Sequence, residues 1–223
     1  MSTFISYLSH PIAEAMPVYG GKADLGLICV KNIVQGDSCN TWRFCLENHW
    51  GTHVDCPAHF FVKGQKVTDY PSDFWLFRKP QVIQVEAKAG QIITKDDFSN
   101  NLDPETDLIL FQSGWWKFRG EETYSKHNPG LHPDLGLWMR REFPAVRAIG
   151  MDWISIASFE SRDMGRKAHR TFLNPEGVGH PIVLIEDMNF SSDLDDLKEV
   201  WVVPLMVQEI DSAPCTVIGV FDD

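Results

Sequence analysis

The segment His49-Trp50-Gly51-Thr52-His53-Val54-Asp55-Cys56-Pro57-Ala58-His59 restricts the backbone more than any other stretch of this chain. Positions 49, 53, 55 and 59 share one parity, so an extended backbone would present three histidines and an aspartate on one face. A helical pairing of His49 with His53 is disfavoured: Gly51, Thr52, Val54 and Pro57 are poor helix formers, and no Glu follows His49 as in His-Glu-x-x-His proteases. Strand or loop is therefore expected. In a straight strand the Cα atoms of His49 and His53 would lie ~13 Å apart at ~3.3 Å per residue, near the limit for two imidazoles meeting on one ion. Gly51 reaches backbone angles closed to other residues and is the natural place for the bend that brings the rings together. Asp55 adds an anionic oxygen. Two imidazoles and one carboxylate suit Zn²⁺ or Mn²⁺ and leave open positions for water, as a catalytic site requires. A plainer reading makes these residues the polar face of a sheet edge. Flanked by apolar Val54 and Phe60-Phe61-Val62, however, such a cluster would be costly to bury unpaired.

The rest of the chain narrows the class of protein. Its 223 residues, with 43% hydrophobic and 23% charged, suit one compact domain spanning 1–223 with a substantial core. Neither repeats nor a Pro/Gly-rich linker divide it. A formal net charge of -11 at pH 7 opposes phosphate backbones and anionic lipid heads, so nucleic acid and membrane partners are not expected. No apolar run approaches the ~20 residues of a bilayer crossing, and Met1-Ser2-Thr3-Phe4 has no signal-peptide character, so the expected location is cytoplasmic. The five cysteines, at 29, 39, 45, 56 and 215, are odd in number and contain no Cys-x-x-Cys pair; free and mostly buried thiols are expected. Cys56 lies beside the histidine cluster, but the strand alternation points it away from the metal face. Trp50, Phe74, Trp75, Trp115 and Trp116 are candidates either for core or for stacking on a planar substrate.

Strands are predicted over Leu27–Val34, Val82–Glu86, Leu108–Phe111, Ala148–Met151, Ile182–Ile185 and Val200–Val207, from their β-branched and aromatic content. Pro133–Arg141 carries an apolar face at helical spacing, and Thr94–Phe98 reads as a short capped turn. The expected class is mixed α and β. Asp152, at the end of a buried strand, and Ser155 are candidates for orienting ligands, although such an Asp is as often a cap.

His-Trp-Gly-Thr-His-Val-Asp-Cys-Pro-Ala-His-Phe over residues 49–60 resembles the His-x-Gly-Thr-His-x-Asp-x-Pro-x-His-Phe signature of the cyclase family of metal-dependent hydrolases, which includes bacterial kynurenine formamidases and isatin hydrolases. The resemblance extends to Leu8-Ser9-His10-Pro11-Ile12 and Met16-Pro17-Val18-Tyr19, and to Ser113-Gly114-Trp115, where the family carries Thr-Gly-Trp. It continues through Ile149-Gly150-Met151-Asp152, Ala168-His169-Arg170-Thr171-Phe172-Leu173 and Ile185-Glu186-Asp187-Met188-Asn189. It implies an α+β domain in β/β/α layers with a mixed, largely antiparallel sheet, assembled as a homodimer or homotetramer. It further implies that His49, His53 and Asp55 bind a first metal, and that His169 and Glu186 complete a second site bridged by Asp55. Zn serves two-ion members and a single Mn serves others. Here Asn174–Pro181 lengthens the connection between His169 and Glu186 relative to the compact formamidases.

His59 is the expected general acid/base by the same resemblance. An imidazole titrating near neutrality suits proton transfer to a leaving nitrogen, while ligation or a supporting role are its alternatives. The implied function is hydrolysis of a C–N bond in a small amide or cyclic amide, arylformamide- or isatin-like, by metal-activated hydroxide attacking the carbonyl. A metal-dependent lyase, dehydratase or cyclase, or a non-catalytic metal-bearing binding protein, are the other readings.

Overall fold

The computed structural model describes residues 3–98 and 101–222. Its main sheet comprises β1 (Thr3–Tyr7), β2 (His53–Asp55), β3 (Leu76–Phe77), β4 (Pro80–Gln84), β5 (Leu108–Gln112), β6 (Ala148–Met151), β7 (Val183–Glu186), β8 (Leu197–Pro204) and β9 (Ser212–Asp222). These strands run in the order β3-β8-β9-β2-β7-β6-β5-β4, with β1 also paired to β9. The pairings among β7, β6, β5 and β4 are parallel. Those of β1, β2, β3, β8 and β9 with their neighbours are antiparallel, so the sheet is mixed and mostly antiparallel.

The inner strands β5, β6 and β7 of the parallel half are buried on both faces, which is why they read as largely apolar runs. Ile109 and Phe111 of β5, Ile149 and Met151 of β6 and Leu184 of β7 pack with Leu135, Met139, Ala168 and Phe172 of the helices α2 (Pro133–Glu142) and α3 (Arg162–Leu173), which follow the short helix α1 (Glu122–Lys126). Leu108, Leu110, Val183 and Ile185 point the other way, into a second cluster with Val200, Val202, Val217 and Phe221 of β8 and β9. The antiparallel half thus lies over one face of the parallel half and the helices over the other, giving β/β/α layers. Strand β8 alternates buried Val200 and Val202 with exposed Trp201 and Val203, as expected for a sheet wet on one side. Among the described residues no helix is long and apolar enough to cross a membrane.

Several elements differ from their sequence expectations. Leu27–Val34 forms a strand only over Ile28–Lys31; the Asn32 side chain then accepts from Val34 N and turns the chain into a 3-10 helix at Ile33–Gln35. The strand expected over Val82–Glu86 starts earlier, at Pro80, and the one expected over Val200–Val207 ends at Pro204. Three of the cysteines, Cys29, Cys39 and Cys45, are exposed, contrary to the expectation of mostly buried thiols, because they sit on an arm outside the core. Cys56 is buried beneath the sheet, where burial pushes its thiol well above the ordinary range.

Candidate metal centre

Strand β2 is three residues long, and its alternation places His53 and Asp55 on one face and Val54 in the opposite core. It is inserted antiparallel between β7 and β9, with His53 opposite Glu186 on one side and Pro214 on the other. That pairing brings Glu186 to the site. His49 and His59 arrive differently from the expected single extended face. Gly51 adopts φ +70°, the left-handed conformation that favours glycine, and folds the turn carrying His49 back over β2. His59 closes a 3-10 turn over Pro57–His59, with Pro at its start and His59 N donating to Cys56 O. Gly64 makes this turn possible, since a Cβ there would stand 2.4 Å from the Pro57 carbonyl carbon. His169 comes from α3, where Gly165 lets the helix press against Ala157.

Asp55 lies at the centre. Its Oδ1 is 3.0 Å from His49 Nδ1 and 3.5 Å from His53 Nε2, and its Oδ2 is 3.7 Å from His169 Nε2. Glu186 reaches His53 Nε2 at 3.4 Å through Oε2 and His169 Nε2 at 3.6 Å through Oε1. His53 and His169 each hold their Nδ1 against a backbone carbonyl at 2.8 Å, Gly51 O and Gly165 O respectively. Donation there makes Nε2 the nitrogen that faces the carboxylates and that each ring would offer to a cation after losing its proton. Asp211, which has no counterpart in the sequence reading, and Ser155, which has one, complete the arrangement. Asp211, just before β9, accepts from His59 Nδ1 at 2.8 Å and stands 3.7 Å from His49 Nε2. Ser155 Oγ and Ile156 N both donate to Glu186 Oε1, at 3.2 Å and 2.7 Å, so the Ser155 candidate does orient a carboxylate. Asp211 carries no signal in its local sequence; only the strand order places it here. Asp152 accepts from Ser113 and Gly114 and caps the loop after β5, outside this cluster.

Electrostatics follow from this packing. Burial on its own lowers an imidazole, but Asp55 and Asp211 overcome it and raise His49 to about 10. Burial is likewise outweighed at His169, which Asp55 and Glu186 raise to about 9, and at His53, which Glu186 and Asp55 also raise. Burial pushes Asp55 and Glu186 up, yet the surrounding imidazoles hold both below the usual carboxylate range. Without a cation the imidazoles therefore share protons with the carboxylates.

The donor set fits a divalent cation. His53 Nε2 and Asp55 Oδ1 are buried and have no hydrogen-bond partner, although each lies among opposite charges. Two groups of candidate ligands, His53, Asp55 and Glu186 on one side and His49, Asp55 and His59 on the other, have atoms within 4.8 Å of one another and share Asp55. Hard carboxylates and imidazoles in this proportion suit Zn²⁺ or Mn²⁺. The cluster forms one wall of a cavity of about 260 Å³ that Tyr19, Phe60, Ile154, Arg162 and Arg166 also line. None of Trp50, Phe74, Trp75, Trp115 and Trp116 lines it among the described residues; Trp75 and Trp115 are core.

Comparison with known proteins places the chain in a wider group. The family described as "Putative cyclase" matches residues 7–158. A kynurenine formamidase of Bacillus cereus is 25% identical over 181 residues, 81% of this chain and 79% of the relative. Isatin hydrolase A from Labrenzia aggregata, solved with benzyl benzoate, superposes with a TM-score of 0.80 at 18% identity, over 99% of this chain and 94% of that one. A protein from Bacillus stearothermophilus described as a predicted metal-dependent hydrolase superposes with a TM-score of 0.75 at 21% identity, over 99% of both chains.

Proposed function

The chain belongs to the cyclase family, and from that membership we propose that it is a metal-dependent hydrolase of the C–N bond in a small amide or cyclic amide. The observation that carries this reading is the pair of buried, unpartnered ligand atoms, His53 Nε2 and Asp55 Oδ1, facing a cavity large enough for a small molecule. His49, His53 and Asp55, with Glu186 and His169, are the residues that would hold one or two Zn or Mn ions. When bound, the ion supplies an acidified water and polarises a carbonyl.

The protein's residues do the rest. Asp211 accepts from His59 Nδ1 and so fixes its tautomer, leaving Nε2 to take a proton from the attacking water and return it to the leaving nitrogen. Ser155 and Ile156 N hold Glu186 in place. The kynurenine formamidase and isatin hydrolase names of the relatives support an arylformamide- or isatin-like substrate. Elemental analysis of purified protein, with turnover of N-formylkynurenine, isatin and simple lactams before and after chelation, tests the reading. His53→Ala is expected to lose the metal and reduce turnover to background, whereas Cys56→Ala, altered on the far face of β2, keeps both. Full turnover after complete chelation would overturn it.

A further inference from the structure

We propose that Arg162 and Arg166 form an anion-binding rim above the metal centre, so that the substrate is an amide carrying a carboxylate; this rests on the hydrolase reading above. Arg162, Arg166 and His169 follow one another at helical spacing on α3, and all three line the same cavity. The helix that supplies a metal ligand at the floor therefore supplies two guanidinium groups at the mouth.

The Arg162 side chain is held in a built position. Its guanidinium carbon lies 3.9 Å from the centroid of the Phe159 ring, and Phe159 meets Tyr19 edge-on at 5.3 Å. Tyr19 Oη is anchored by donating to Ser158 O at 3.2 Å. Gly20, at φ +82°, permits this stack, because a Cβ there would stand 2.5 Å from the Phe159 ring. Stacking occupies the face of the Arg162 guanidinium and leaves its edge, with the N–H donors, open. Among the described residues Arg162 makes no ion pair with a carboxylate. Arg166 spends one nitrogen on Asp163, its neighbour one turn earlier, and retains further donors.

Charge balance does not require these two groups. The floor carboxylates are matched by the four imidazoles around them. In a chain of net charge -11, cations gathered at the mouth of an acidic floor are selective for something else. A guanidinium edge is matched in shape to a carboxylate, which it can grip through two parallel hydrogen bonds. A substrate held at its carboxylate by the rim and at its carbonyl by the floor is fixed at two points, which is what orients a reacting carbonyl.

The test compares 4-formamidobenzoate with its methyl ester as substrates of the metal-replete protein and of Arg162→Gln, Arg162→Lys and the Arg162→Gln/Arg166→Gln double variant. Thermal unfolding and elemental analysis confirm that each variant is folded and loaded. The acid is expected to be preferred in KM by roughly tenfold, with the preference falling as salt rises. It should collapse towards unity in the double variant and return in part in Arg162→Lys. Equal KM values for acid and ester in the natural chain, or a preference that survives in the double variant, would overturn the rim. If neither compound is turned over, it is the choice of hydrolase reaction that fails, and calorimetric binding of 4-formamidobenzoate still decides the rim. Binding lost in the double variant upholds it, and binding of equal affinity in both proteins shows that the carboxylate sits elsewhere.

Discussion

In the proposed mechanism Asp211 and His59 supply the acid–base half of the site, and their hydrogen bond can be tested apart from metal binding. His59→Ala is expected to lower kcat by roughly 10²- to 10⁴-fold, the usual worth of a positioned proton shuttle. Asp211→Asn should lower it by roughly 10- to 100-fold, because the ring then loses its fixed tautomer. Steady-state kinetics with metal content measured alongside would show this; a fully active, metal-replete Asp211→Asn would remove Asp211 from the mechanism. Proton uptake at His49 and His169 has its own consequence. Both are raised, to about 10 and about 9, so both are protonated in the metal-free protein at pH 7. A cation must displace those protons. Metal affinity is therefore expected to rise as pH increases from 6 towards 9, with net proton release on binding, read by calorimetry in buffers of differing ionisation enthalpy. Proton release near zero at pH 7 would contradict the assigned charge states.

Secondary-structure elements decide whether those residues meet. Helix α3 buries Gly165, Ala168, His169, Phe172 and Leu173, a regular stripe at helical spacing. Its apolar signal is weak, because two of these are small and one is a histidine, and the sequence reading accordingly did not find the helix. Helix α2 was legible, since Pro133 opens it and Leu135, Trp138 and Met139 mark its face. The long strand β9 was also missed: Pro214 and Gly219 look like breakers, yet Gly219 is required where a Cβ would stand 2.9 Å from Leu8. Gly165→Ala tests how tightly α3 positions its ligand. The new Cβ would lie 2.2 Å from Ala157 Cβ, so the helix must shift away and carry His169 with it. We expect destabilisation of roughly 1–3 kcal/mol and weaker binding of a cation at the site proposed to include His169 and Glu186, measured by chemical denaturation and metal titration. Unchanged affinity would show that the ligand position does not depend on this contact.

At the scale of the whole molecule, exposed apolar side chains gather on the arm outside the core. The arm built on the paired strands Ile28–Lys31 and Thr41–Arg43 exposes Val30 and Trp42, and Val34 and Phe44, which follow those strands, are exposed beside them. A second copy of the chain is the occupant we expect, in a homodimer or homotetramer. Light scattering should give a multiple of the 25.4 kDa chain mass, and Trp42→Ser with Phe44→Ser should lower it. A monomeric mass for the natural chain would dismiss this assembly. The candidate site divides in the same way between near and distant causes. The shared face of His53 and Asp55 and the need for a bend at Gly51 were readable in the chain alone, because strand alternation and glycine's backbone freedom are local properties, whereas His49 and His59 reach the site through turns and not along one extended face. Family resemblance named His169 and Glu186, but nothing in their own surroundings did. Their place beside Asp55, and that of Asp211 beside His59, comes from the lodging of β2 between β7 and β9 and the packing of α3 on the sheet. Such contacts join residues more than 100 positions apart, and no short-range periodicity encodes them.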